Sequence, residues 1–315
     1  MTKINYSKKF DRNMYYKDIS KKYFFIDKNE LLNKNIPKCY KNTITIRELF
    51  NYFKIKKLGK FHIYFKNISL KTLLIGKYRT LNIIKQRINS DDEIKENKFI
   101  SFLFNYSVLQ SKRIKPFFEN NLLMSTCYYC NIDYINTYNT IDKDKNKFTL
   151  DHYFDKSTYP YLALSLYNFI PSCYTCNCKL KGTIEFNNIS PSSKKYDFDE
   201  KVKFKIKLDK SCENLHIKNK NHITVDLKEY YSNDFKKFIK DMLLNERYKV
   251  HKDIVYEMIT KAELYPESRL KELQDLTAIP FQQIKKDIFN LSDEKDLSKK
   301  PFSKLIKDIS EELKL

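Results

Sequence analysis

Two Cys-x-x-Cys pairs, Cys127-Tyr128-Tyr129-Cys130 and Cys173-Tyr174-Thr175-Cys176, bound one central stretch and constrain this chain more than any other feature. Two intervening residues let adjacent thiolates converge on one ion, and four thiolates complete the tetrahedral shell that Zn²⁺ takes. Cys127, Cys130, Cys173 and Cys176 are therefore the expected zinc ligands. A closed shell leaves no position for water or substrate, so the zinc is expected to be structural. Its binding would add on the order of 10 kcal/mol to the folded segment. Cys178 lies close enough to compete for a position. It is expected to be a free core thiol, with exchange of Cys176 for Cys178 as the alternative. Cys39 and Cys212 are expected to be ordinary buried cysteines.

The remaining composition narrows the setting. Four of the seven cysteines sit in the two pairs and the first residues carry no apolar leader, which points to reduced thiols and a cytoplasmic location. No apolar run approaches the roughly 20 residues needed to cross a bilayer, so no membrane partner is expected. With 24 Tyr, 23 Phe and no Trp in 315 residues, aromatic rings must fill much of the core. The formal charge is +21, and it is uneven: residues 1–100 hold 24 basic and 9 acidic side chains, whereas 251–315 hold 12 and 13. Such a balance points to a polyanionic partner, nucleic acid first, lying against the N-terminal part and the central finger. A general bias toward Lys, Asn and Ile codons would also raise the charge.

Along the chain, residues 1–42 show only weak periodicity. Thr45-Ile46-Arg47-Glu48 fits a capping box, with Ile46, Leu49, Phe50 and Phe53 on one helical face. Residues 61–75 look strand-like or ambiguous. Phe99, Ile100, Leu103, Phe104, Val108 and Leu109 predict one core helix, and another should begin near Pro116. Ser190-Pro-Ser-Ser-Lys-Lys reads as a linker. Val202, Phe204, Ile206 and Leu208 alternate with Lys201, Lys203, Lys205 and Lys207, which predicts a strand with a basic face. Those lysines either protect a sheet edge or track phosphates. Ile223–Leu227 could pair with that strand. Helical spacing follows at Phe235, Phe238, Ile239, Met242 and Leu243, then at Ile254, Val255, Met258 and Ile259. A last helix should start near Pro301, with Phe302, Leu305, Ile306, Ile309 and Leu313 inward.

Between the cysteine pairs stand Asp151-His152-Tyr-Phe-Asp155, Asn168, and Cys176-Asn177, followed by Lys181-Gly182. Asp151 and His152 end a strand-like run, where successive side chains face opposite ways, so one can hold a metal while the other faces water. Together these residues resemble the HNH endonucleases of the ββα-metal type, in the zinc-stabilised bacterial, restriction-like branch. The resemblance covers the finger itself. More loosely, Glu246-Arg247-Tyr248 and Lys300-Pro301-Phe302-Ser303-Lys304-Leu305 look like extensions found on some stand-alone HNH proteins. Three departures stand out: Asp155 replaces a common Pro, Tyr-Pro-Tyr-Leu-Ala replaces a Gly-Gly loop, and one extra residue separates Asn177 from the Lys-Gly.

The resemblance implies Asp151 and Asn177 as ligands of one Mg²⁺ or Mn²⁺ ion, His152 as general base and Asn168 as loop tether. Lys179 and Lys181 would grip flanking phosphates. Asp155 is expected to be a solvated loop residue, and the remaining histidines to be ordinary surface or core residues. The implied fold is α+β: a ββα-metal, zinc-stabilised finger at 121–190, embedded between a basic, mainly helical region at 1–120 and a C-terminal strand pair plus helices at 191–315. The implied activity is hydrolysis of DNA phosphodiester bonds, double-stranded DNA first. Defence against foreign DNA and a partner protein such as an ATPase fit the family's habits. The competing expectation is a non-catalytic zinc module that binds nucleic acid or protein.

Overall fold

The computed structural model describes residues 1–315 apart from 7–9, 26–42, 58–59, 89–93, 95–96, 139–144, 147, 187–188, 210–216, 218 and 292–295. Cys39, Cys212 and His216 lie outside the described residues. The fold mixes helices with two-stranded antiparallel sheets.

The N-terminal region carries helices α1 (Arg12–Ser20), α2 (Ile46–Ile55), α3 (Phe61–Phe65), α4 (Leu70–Ile75), α5 (Tyr78–Ile88), α6 (Lys98–Leu103), α7 (Tyr106–Leu109) and α8 (Lys115–Asn121), with one small sheet of β1 (Tyr23–Phe25) and β2 (Thr43–Thr45). Helix α2 begins at the expected capping box: the Glu48 carboxylate accepts from the Thr45 N–H at 2.9 Å, and the Thr45 hydroxyl accepts from the Glu48 N–H at 3.2 Å. Ile46, Leu49, Phe50 and Phe53 are all buried.

Residues 61–75 are helical, not strand-like. Phe61 and Phe65 pack their rings on Phe50, and Phe65 also meets Phe104 and Tyr161, so burial among aromatics overrides the β-leaning local composition. The single helix expected over 99–109 is broken after Phe104, with Asn105 extended at the start of α7. This break leaves Val108 46 % exposed instead of inward.

In the centre, β3 (Thr137–Tyr138) pairs with β4 (Lys145–Asn146). Strand β5 (Thr149–His152) pairs with β6 (Phe169–Ser172) in the register Asp151 opposite Ile170 and His152 opposite Phe169. A helical segment at Thr175–Lys181, the finger helix, follows β6 and is wound as a π-helix. A π-turn takes one residue more than an α-turn. The finger helix thus absorbs the extra residue between Asn177 and the Lys-Gly pair, and the Gly182 N–H closes on the Asn177 carbonyl at 2.9 Å. Gly182 then leaves at φ +49° and ψ −119°, a backbone region that residues with a Cβ rarely enter.

The segment expected to be a linker is part of the packed structure. Ser190, Pro191 and Ser192 are buried, the Ser192 hydroxyl donates to the Tyr167 carbonyl at 2.6 Å, and the Pro191 carbonyl accepts from the Ile4 N–H at 3.0 Å. After a short helix α9 (Phe198–Lys201), β7 (Val202–Leu208) and β8 (Ile223–Glu229) pair over seven residues each, as their alternation predicts.

Helices α10 (Lys236–Asp241), α11 (Leu244–Lys249), α12 (Lys252–Leu264), α13 (Glu267–Thr277), α14 (Phe281–Phe289) and α15 (Ser303–Glu312) complete the chain. Leu243 does not continue the inward stripe: it sits at φ +48°, is 44 % exposed, and turns the chain into α11. The lysine face of β7 is covered rather than free. Lys203 meets Asp308 and Glu311, Lys205 meets Glu312, Lys207 meets Asp226, and Lys201 meets Asp197 and Asp234. Each of these lysines thus has an acidic partner within the protein, although the Lys207 side chain stays 62 % exposed.

One cluster of buried apolar side chains runs from Met1 to Ile309 and draws on all three regions, with a small satellite around Leu270, Ile284 and Phe289. No helix among the described residues is long and apolar enough to cross a membrane.

Candidate active site and metal centre

The two cysteine pairs meet. Cys127, Cys130, Cys173 and Cys176 are buried and their sulfurs lie within 4.8 Å of one another. Zn–S bonds of about 2.3 Å place tetrahedral sulfurs about 3.8 Å apart, so the set fits a zinc-like ion with slight contraction. The first pair forms a tight knuckle. The Asn131 N–H donates to the Cys127 carbonyl at 2.8 Å, the Ile132 N–H points at the Cys130 sulfur at 3.4 Å, and Asn131 takes the left-handed conformation at φ 54°. The second pair sits where β6 enters the finger helix. The Cys173 and Cys176 thiols are pushed up by the adjoining Cys127 and Cys130 sulfurs and further by burial. Four sulfurs this close cannot all ionise without a cation among them. Cys178 is exposed, not a core thiol.

Asn131 joins this knuckle to the C-terminal region. Its Nδ2 donates to Thr126 Oγ1 and to the Leu297 and Lys300 carbonyls, and its Oδ1 accepts from the Ser303 hydroxyl and the Lys304 N–H. The Phe302 N–H donates to the Asn131 carbonyl at 2.7 Å. The Tyr248 hydroxyl donates to the Cys130 carbonyl at 2.7 Å. Tyr248 and the 297–304 segment therefore both reach the knuckle.

Strand β5 sends Asp151 and His152 to opposite faces, as its alternation predicts. Asp151 turns toward the cysteine side: its Oδ2 accepts from the Tyr129 hydroxyl at 2.6 Å and lies 3.2 Å from Lys181 Nζ. Burial pushes the Asp151 carboxyl up, and the Lys181 ammonium and Tyr129 work against that. Its Oδ1 has no hydrogen-bond partner among the described residues. Lys181 is itself fully buried and also donates to the His152 carbonyl at 2.9 Å. It is not placed to grip a flanking phosphate. The extended π-turn aims its ammonium inward, and water cannot reach it. Lys179 is exposed, with its ammonium 5.8 Å from the Tyr174 ring centre.

His152 lies on the other face, its ring edge-on to Tyr106 and Phe169. Nε2 is 2.9 Å from the Ala163 carbonyl. A carbonyl only accepts, so Nε2 carries the proton and Nδ1 keeps its lone pair. Nδ1 makes no hydrogen bond to the described residues. Burial lowers the His152 pKa to about 3, partly resisted by the Ala163 carbonyl. The ring is therefore neutral at physiological pH.

That shift has a measurable consequence. The unfolded chain, with an ordinary imidazole pKa near ~6.5, takes up the proton first, so folding stability falls as pH drops from about 6.5 toward 3. A His152→Gln variant keeps a donor for Ala163 but cannot titrate. Between pH 6.5 and 4 the wild type should lose on the order of 3 kcal/mol more than this variant in urea unfolding. Parallel losses would contradict a buried neutral imidazole.

Asn168, fully buried at the start of β6, closes the loop that runs from His152. Its Oδ1 accepts from the Phe154 N–H at 2.7 Å, and its Nδ2 donates to the Phe154 and Leu162 carbonyls at 3.0 and 3.1 Å. These bonds join the backbone at Phe154 and Leu162 to Asn168. Truncating Asn168 to Ala strands the Phe154 N–H and carbonyl, while the Leu162 carbonyl keeps the Ser165 N–H, and should cost about 2 kcal/mol or more in chemical unfolding. A loss under about 1 kcal/mol would exclude the tether role.

Asn177 is half-buried on the finger helix, and its side-chain amide has no partner among the described residues. Asp155 is buried rather than solvated. Burial acts to raise its carboxyl, but hydrogen bonds from Ser157 and Thr158 outweigh this and hold it below the usual range.

No protein-family model, curated protein or solved structure matches the chain.

Three participants escape sequence reasoning. Tyr129 lies inside the first cysteine pair, and nothing in the sequence points it at Asp151. Arg247 is 71 residues from the Cys176 sulfur to which it donates. Lys156 is exposed, with its ammonium 5.1 Å from the centre of the Tyr106 ring that packs on His152. Its position four residues after His152 on the same loop was the available clue.

Proposed function

We propose that this chain is a metal-dependent endonuclease of the HNH type that hydrolyses DNA phosphodiester bonds. The observation that carries the proposal is the placement of the His152 imidazole: locked by Nε2–H on the Ala163 carbonyl, with an unshared pair on Nδ1, one residue from a carboxylate on the opposite face of the strand. A phosphodiester is attacked by water, and the attacking oxygen must lose a proton. Nδ1 accepts it. The Tyr106 and Phe169 rings fix the imidazole plane, and Asn168 fixes the loop that carries Ala163, so the acceptor is held in one orientation. Lys156 stands beside Tyr106 to receive the phosphate charge.

Asp151 and Asn177 are the residues that would hold a Mg²⁺ or Mn²⁺ ion. Among the described residues Asp151 Oδ1 and the Asn177 amide both lack partners, and hard oxygen donors suit such an ion. Bound there, it would supply positive charge to the non-bridging and leaving oxygens. Tyr129 and Lys181 hold the other carboxylate oxygen and so fix the rotation of Asp151.

A nucleic-acid substrate is favoured by the net +15 of residues 1–100, and double-stranded DNA and a role in defence against foreign DNA accord with the resemblance. One observation favours a second reading, a zinc module that binds without cutting: the Lys181 ammonium already neutralises Asp151. Incubation of the full chain with supercoiled plasmid and Mg²⁺ or Mn²⁺, with and without EDTA, separates the two. Metal-dependent nicking is expected. Retained, salt-sensitive DNA binding with no nicking under either metal would favour the binding module.

A further inference from the structure

Arg247 is a mostly buried cation, its side chain 18 % exposed, on helix α11. Its Nη1 donates to Cys176 Sγ at 3.2 Å, and its Nη2 lies 3.6 Å from Oδ2 of Asp133, a rim carboxylate that is 43 % exposed. A guanidinium is always charged, and removing one from water is unfavourable unless an anion receives it. At 3.6 Å Asp133 is a long contact, so the sulfur is the nearest acceptor. A neutral thiol accepts weakly, whereas a thiolate accepts well.

We propose that Arg247, set against Cys176 Sγ, is a charge-compensating residue of the four-cysteine site when that site holds a divalent, thiophilic ion such as Zn²⁺. Four thiolates around a dication leave a net charge of −2 in a buried place. Arg247 removes half of it, and the Ile132 N–H facing Cys130 disperses more. The placement is built into the fold. Leu243 at φ +48° turns the chain into α11, and Asn245 Oδ1 accepts from the Leu227 N–H at 2.8 Å, tying α11 to β8. The neighbouring Tyr248 holds the Cys130 carbonyl, with its ring 4.4 Å from that of Phe204 on β7. Consecutive residues thus brace one cysteine of each pair.

The test uses the zinc-loaded full chain with Arg247→Met, Arg247→Gln and Tyr248→Phe. Zinc affinity is read by competition with a chromogenic chelator, and the sulfur-to-metal charge-transfer band is read after Co²⁺ substitution. Loss of an outer partner of a metal ligand typically costs about 10–100-fold in affinity. Arg247→Met should fall in that range with a displaced Co²⁺ band. Arg247→Gln, which keeps a donor but not the charge, should lie between it and the wild type. Tyr248→Phe should leave the band unmoved. Should Arg247→Met fail to fold, Arg247→Gln decides. Wild-type zinc affinity and an unshifted Co²⁺ band in Arg247→Gln would overturn the proposal. None of these readouts depends on DNA cleavage, so the nuclease reading stands or falls separately.

Discussion

Replacing His152 with Ala should reduce plasmid cleavage by about 10²–10⁴-fold, the range that a positioned general base contributes. Zinc content and DNA affinity should stay near wild type. The change is not structurally silent: it leaves the Ala163 carbonyl unpaired and opens a gap between Tyr106 and Phe169, at a cost of roughly 1–3 kcal/mol. His152→Gln supplies the control, since it restores a donor to Ala163 without a basic nitrogen. Both variants should be inactive while remaining folded by circular dichroism. Cleavage at wild-type rate by either would remove His152 from the mechanism. Inactivity accompanied by lost zinc would make its role structural.

Zinc removal is expected to have the largest effect on the fold. Cys130→Ser, or exhaustive chelation, forfeits on the order of 10 kcal/mol, comparable with the whole stability of an ordinary domain. The damage should extend beyond the finger. Asn131, Tyr248 and Arg247 tie the knuckle to the 297–304 segment and to α11, so the C-terminal region should loosen as well. Hydrogen exchange would show this as lost protection in α11 and α15. Full protection there after chelation would mean that the site is dispensable. His152→Ala and Cys130→Ser should therefore fail differently, the first in chemistry and the second in structure.

What the sequence conveyed follows the range of the interactions involved. The Thr45–Glu48 capping box, the alternation of β7 and β8 and the convergence of the cysteine pairs depend on residues a few positions apart, or on a spacing with one chemical purpose. Phe61–Phe65 misleads because an aromatic run has the same local preference in a strand as in a buried helix, and only Phe50, Phe104 and Tyr161 decide. The serines at 190–193 resemble a linker by composition, yet the hydroxyls of Ser190 and Ser192 are consumed by the Tyr167 carbonyl and by each other, and that of Ser193 accepts from the Lys195 N–H. Lys181 looks like a phosphate contact until the π-turn is known, since only the winding reveals which way its ammonium points. Partners at long separation, such as Arg247 with Cys176, leave no local trace.

The hub at Asn131 also sets an order of events during folding. A zinc-like ion on the four cysteines would close a loop of modest length between the two pairs, whereas the partners of the Asn131 side chain at Leu297, Lys300, Ser303 and Lys304 lie 166 to 173 positions further along. Contacts across such distances require much more of the chain to have assembled first and slow the search accordingly. The knuckle is therefore made early and locked late. Refolding should show a zinc-dependent phase that buries the tyrosines of the knuckle, followed by a slower phase, unaffected by zinc concentration, in which α15 docks.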